Sequence, residues 1–140
     1  MNENQFSRRS FIRNVTILSS AAALAPNILF AKNAGDKVNL ACVGIGNRGG
    51  QIIMDLYNTG LANIVALCDV DMGAAHTLEI LKKFPDVPRF KDFRSMFDQM
   101  ANQIEAVSIG TPDHSHFPIT MMAMSLGKHV YVEKPMARTF

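Results

Sequence analysis

The stretch Val38-Asn39-Leu40-Ala41-Cys42-Val43-Gly44-Ile45-Gly46-Asn47-Arg48-Gly49 decides the fold. Its first half is a short apolar run, bounded by Gly35-Asp36 and by Gly44, with the length and flanks of a strand buried on both faces. Its second half is a G-x-G-x-x-G turn that opens into a helical pattern over Gln51 to Tyr57, with Ile52, Ile53, Leu56 and Tyr57 on one face. Gly44 suits the tight strand-to-helix turn, Gly46 leaves the backbone open to a pyrophosphate, and Gly49 allows close helix-on-strand packing. The amides of this turn, Ile45, Asn47 and Arg48 included, and the positive end of the helix dipole are placed to hold phosphates.

Downstream, the same alternation repeats. Asn63 to Cys68 reads as a second buried strand, ended by Asp69 twenty positions after Gly49. A carboxylate there accepts from both ribose hydroxyls of an adenosine and repels a 2′-phosphate, which favours NAD over NADP, with Arg48 the residue able to offset this. Asp71 reads as a solvated charge that caps the next helix, expected from about Met72 to Phe84 and stopped by Pro85. A brief third strand at Pro88-Arg89-Phe90 precedes a helix capped by Asp92, with Phe93, Met96, Phe97 and Met100 as its core face. Strand four is expected over Ile104 to Gly110, a helix over Pro118 to Leu126, and strand five over His129 to Val132. The expected fold is therefore α/β, a Rossmann-type doubly wound parallel sheet of about five strands occupying residues 35–140.

Composition agrees with one such domain: 140 residues, 48% apolar, 19% charged, formal net charge +2. Residues 1–34 concentrate the positive charge, Arg8, Arg9, Arg13 and Lys32 against Glu3, so the rest is close to neutral. A near-neutral domain has no electrostatic case for binding nucleic acid or an anionic membrane surface. Cys42 and Cys68 lie in apolar runs and read as small core residues, which argues against a disulfide framework or a four-cysteine zinc site. Ser7-Arg8-Arg9-Ser10-Phe11-Ile12-Arg13, followed by apolar Val15 to Leu24 and small residues to Ala31, reads as a twin-arginine signal peptide with a linker over residues 1–34. The expectation is export through the twin-arginine machinery to the periplasm.

Two further elements fall at the carboxyl ends of strands, where ligands bind in such sheets. After strand four stands Thr111-Pro112-Asp113-His114-Ser115-His116; its His-x-His spacing lacks a third ligand of matching type, and no metal is expected. After strand five stands Glu133-Lys134-Pro135. A lysine beside a nicotinamide donates to a substrate hydroxyl or tunes a proton-transfer partner; the alternative is a surface ion pair between Lys134 and Glu133. Met121, Met122 and Met124 read as a packing face of the preceding helix.

The glycine turn, Cys68-Asp69-Val70-Asp71, Thr111 to His116, and Lys128-His129-Val130-Tyr131-Val132-Glu133-Lys134-Pro135 together resemble the N-terminal domain of the glucose-fructose oxidoreductase, inositol dehydrogenase and MocA (Gfo/Idh/MocA) family. The resemblance covers roughly Val38 to Phe140, and Glu-Lys-Pro after a strand is its most specific element. It implies that Gly44, Gly46 and Gly49 hold the pyrophosphate of NAD, that Asp69 holds the adenosine ribose, and that Thr111, Pro112 and His116 line the nicotinamide pocket. Asp113 and Glu133 join the cofactor-binding set, and Lys134 touches nicotinamide ribose and substrate as the catalytic residue. Family members exchange a hydride between NAD(P) and a carbinol carbon of sugars or cyclitols. The family's second domain, which carries substrate contacts and a catalytic His or Asp, does not follow Phe140, so the chain is expected to be a fragment of a longer, homo-oligomeric product. An NAD-dependent glycosidase and a non-catalytic nucleotide-binding module are the competing readings.

Overall fold

The computed structural model describes residues 36–137; the arginine pair and the signal-like stretch lie outside the described residues. Five strands, β1 (Val38–Val43), β2 (Ala62–Cys68), β3 (Arg89–Phe90), β4 (Ala106–Ile109) and β5 (His129–Val132), form one sheet in the order β3-β2-β1-β4-β5. Every neighbouring pair is parallel, as the strand-helix alternation requires. Strand β1 is central: Val43 sits beside Cys68 on one flank and Ile109 on the other.

Because β1 is covered on both faces, its alternate residues enter two separate cores. Leu40 and Cys42 pack with Ile53, Leu67, Ile80 and Phe84 under α1 (Asn47–Asn58) and α2 (Leu78–Lys83). Ala41 and Val43 pack with Met96, Phe97, Val107 and Ile119 under α3 (Phe93–Met100) and α4 (His116–Ser125). Asp92 caps α3 as expected, its carboxylate accepting from the Arg94 amide at 2.9 Å.

Three expectations are corrected. The helix expected from Met72 shrinks to α2 because Gly73 takes a left-handed φ of +96° and the Thr77 hydroxyl binds the Ala74 carbonyl at 2.9 Å, leaving only a 3-10 turn over Ala75–Thr77. Asp71 therefore caps no helix; its carbonyl closes a turn with the Ala74 amide at 3.0 Å. Of the three methionines on α4, Met122 packs against the core, but Met121 and Met124 are 50% and 59% exposed. That helix is apolar all round, so its sequence period does not say which side faces inward. Boundaries shift elsewhere too: α1 begins at Asn47, inside the glycine turn, and α4 at His116, with Pro118 in its first turn where no amide is needed. Among the described residues, no helix is long and apolar enough to cross a membrane.

Candidate nucleotide-binding site

The glycine turn is held by close main-chain packing. A Cβ on Gly49 would collide with the Gly44 carbonyl oxygen, and one on Gly110 would lie 2.5 Å from the Gly49 Cα. Gly44, at φ +78°, has the Thr111 amide nitrogen 2.6 Å from where its Cβ would stand. Three glycines thus let the ends of β1 and β4 meet the start of α1 without side chains between them. Asn47 follows with φ +45°, a left-handed conformation that Asn tolerates better than most residues. Gly110 is a member that sequence reasoning passed over; its signal is a glycine at a strand end, directly before Thr111-Pro112.

Asp69 braces this turn. One carboxylate oxygen accepts the Ile45 amide at 2.9 Å and the other accepts the Asp71 amide at 3.0 Å. Ile45 therefore gives its amide to Asp69, and its side chain is fully buried in the α1 core. A carboxylate has about four acceptor positions, so two such bonds leave capacity for ribose hydroxyls.

A cavity of about 570 Å³ opens at the carboxyl ends of β1, β2 and β4. Of the residues read from sequence, it brings together Gly44, Gly46, Asn47, Arg48, Asp69, Thr111 and Pro112. His76, Lys91 and Val70 complete part of its wall and were not anticipated as site residues: His76 lies in the 3-10 turn where a helix was expected, Val70 in the turn after β2, and Lys91 just past β3. The His76 ring lies over Gly46, in the space a side chain there would need. Thr111 lines the cavity, and its hydroxyl oxygen is buried with no hydrogen-bond partner among the described residues. Together, the close-packed glycine turn, the start of α1 and the braced carboxylate, brought to one cavity, fit a dinucleotide.

The remaining expected residues lie off that wall. Gly49 is in the main-chain contact already described. Asp113 is half-buried, with its carboxylate 3.9 Å from the His114 ring. Glu133 pairs with the Arg48 guanidinium at 3.2 Å, rather than with Lys134. Lys134 is exposed, beyond β5 and before a cis peptide bond to Pro135. His116 is buried, its Nδ1 2.6 Å from the Pro135 carbonyl oxygen and its Nε2 2.7 Å from the Thr111 carbonyl oxygen. Cys68 borders the cavity, but burial, with the Asp69 and Asp92 carboxylates adding to it, pushes its thiol up to about 12. Burial pushes the Cys42 thiol up further. Neither is a nucleophile at neutral pH.

Comparison with known proteins agrees with this geometry. Residues 38–140 match the Gfo/Idh/MocA family model, described as an oxidoreductase family with an NAD-binding Rossmann fold. A glycosyl hydrolase family 109 protein of Shewanella sp. (strain ANA-3) is 27% identical over 96% of this chain and 34% of its own length. A dehydrogenase from Chromobacterium violaceum superposes with a TM-score of 0.66 at 28% identity, over 74% of this chain and 30% of that one. The myo-inositol 2-dehydrogenase of Lactobacillus plantarum gives 0.63 at 28% identity, over 75% and 30%. The chain spans about a third, 34%, of the length of the first of these relatives.

Proposed function

Since the chain belongs to the Gfo/Idh/MocA oxidoreductase family through its NAD-binding Rossmann domain, we propose that it is the cofactor half of an enzyme that oxidises or reduces a carbinol carbon of a sugar or cyclitol. The observation that carries this is the convergence of the glycine turn, Asp69 and Thr111, from three strand ends, on one cavity. NAD, when bound, supplies the hydride acceptor or donor. The chain's own residues bind and orient. The first amides of α1 have no partner within the helix, and with its dipole they suit a pyrophosphate at Gly46. Asp69 suits the adenosine ribose, and its charge disfavours a 2′-phosphate, so NAD is preferred to NADP.

Oxidation of a carbinol also removes a proton from oxygen. We assign to Lys134, which follows the carboxyl end of β5, the task of stabilising the developing alkoxide or of orienting an acid-base group from a following substrate domain. The inositol dehydrogenase relationship supports a cyclitol or sugar substrate. The family 109 relatives support a second reading, a glycosidase that oxidises a sugar hydroxyl, eliminates the aglycone and reduces the product back. Assaying the complete protein decides between them: net NADH from a free sugar or cyclitol supports the first, and cleavage of an aryl glycoside without net NADH supports the second. Neither activity, with no NAD binding by calorimetry, overturns both.

Arg8-Arg9 and the apolar stretch after them support export of the folded protein to the periplasm by the twin-arginine route. Replacing both arginines by lysine is expected to hold the precursor in the cytoplasm; unchanged fractionation rejects the route. The reading extends to a homo-oligomer for the complete protein, checked by light scattering.

A further inference from the structure

His116 is 2% exposed at the first position of α4, and each of its ring nitrogens faces a main-chain carbonyl. The two carbonyls belong to different loops: Thr111 follows β4, and Pro135 follows β5. The β4-β5 ladder ends where the Glu133 amide donates to the Ile109 carbonyl at 3.1 Å. Beyond that point the imidazole joins the two loops. One of its partners, Thr111, lines the cavity, and the other is bonded directly to Lys134.

We infer that His116 is a positioning residue that fixes the Thr111 segment of the cavity wall and the Lys134-Pro135 turn relative to each other, without itself touching the cofactor. This rests on the reading of Lys134 as the catalytic lysine. Carbonyl oxygens only accept, so both contacts are hydrogen bonds together only where both ring nitrogens carry hydrogen, and the two nitrogens then have separable duties. Nε2 holds the Thr111 carbonyl and so the cofactor wall, whereas Nδ1 holds the Pro135 carbonyl and so the lysine.

Side-chain chemistry allows the duties to be separated. Counted in bonds from Cβ, the amide nitrogen of Asn stands where Nδ1 stands, and that of Gln where Nε2 stands. The test places His116→Asn, His116→Gln and His116→Ala in the complete protein, and measures NAD affinity by calorimetry, NADH formation by stopped flow, and thermal unfolding. His116→Ala is expected to weaken NAD about fivefold, the scale of one lost hydrogen bond, and to slow hydride transfer by tenfold or more, on the order of a misplaced catalytic group. His116→Gln should restore NAD affinity but not the rate, and His116→Asn should restore the rate but not the affinity. Asn and Gln variants that behave alike, or an Ala variant equal to wild type, overturn the assignment. If the Ala variant does not fold, the Asn and Gln pair decides. Should Lys134→Ala leave hydride transfer intact, the reading of Lys134 falls by itself, while the NAD affinities of the Asn and Gln variants still judge the clamp.

Discussion

The glycine turn on the cavity wall is assembled from main chain, whereas the Lys134 end of the domain, off that wall, is assembled from side chains. At the first, Gly44, Gly49 and Gly110 bring three backbone segments together, and Asp69 holds the turn through the Ile45 amide while also accepting the Asp71 amide of its own segment. At the second, an imidazole joins two carbonyls, an exposed guanidinium reaches Glu133, and Lys134 stands in solvent. Main-chain packing leaves no slack, because no rotamer can relieve a missing space. Side-chain links can be exchanged singly, and an end built this way leaves its chemistry open to whatever segment covers it. On the proposed function, this would separate rigid recognition of a constant cofactor from adaptable handling of a variable substrate.

The largest test of that contrast is Gly49→Ala. With the Gly44 carbonyl in the way of the new methyl, the domain should lose about 3 kcal/mol or more of stability and with it NAD binding. Thermal unfolding measures this; an unchanged midpoint would mean that the glycine end yields as easily as the other. Lys134→Ala works on the opposite end and should leave folding alone. In the complete protein it is expected to slow hydride transfer by ~10² or more, while NAD affinity stays within a few fold. A wild-type rate in stopped flow would return Lys134 to an ordinary surface residue.

Asp69→Ala joins structure and binding at the glycine end. NAD should weaken by about 1 to 3 kcal/mol in calorimetry, and the unfolding midpoint should fall as well, since the amides of Ile45 and Asp71 lose their acceptor. Loss of binding with no loss of stability would show that the carboxylate serves the ribose alone. The smallest effect belongs to Arg48→Ala, which cuts the ion pair from the glycine turn to Glu133. The guanidinium side is 61% exposed, so a change of less than about 1 kcal/mol is expected in chemical denaturation. A larger one would mean that the two ends are more tightly coupled than their construction suggests.

The same division governs how much could be read from the sequence. Main-chain constraints leave a signature in residue type, because glycine alone satisfies them; the turn from Gly44 to Gly49 and the strand before it were legible at once. Asp69 was legible by its spacing, but its two amide bonds were not, since they depend on how β2 and the turn after it come to rest beside Ile45. Gly110 was overlooked because its partner in the contact lies far along the chain. His116 was expected at the cofactor from its motif; its burial between two carbonyls depends on where the loop after β5 runs, which no local pattern encodes. The helix expected from Met72 failed for a local reason, a left-handed Gly73 and a hydroxyl that competes for the backbone.

The central position of β1 bears on how the chain is made. Its first neighbour, β2, is complete soon after β1 itself, but the other flank waits: Asn39 receives its carboxylate contact from Glu105, 66 positions later. Until Ile109 has left the ribosome, the strand that carries the glycine turn has one bare edge and half of its core uncovered. Synthesis at about 5 to 20 residues per second makes that interval several seconds long, far longer than helix formation takes. The segment most committed to recognition is thus made well before the strand and helix that enclose one side of it, and its apolar residues stay uncovered in that interval.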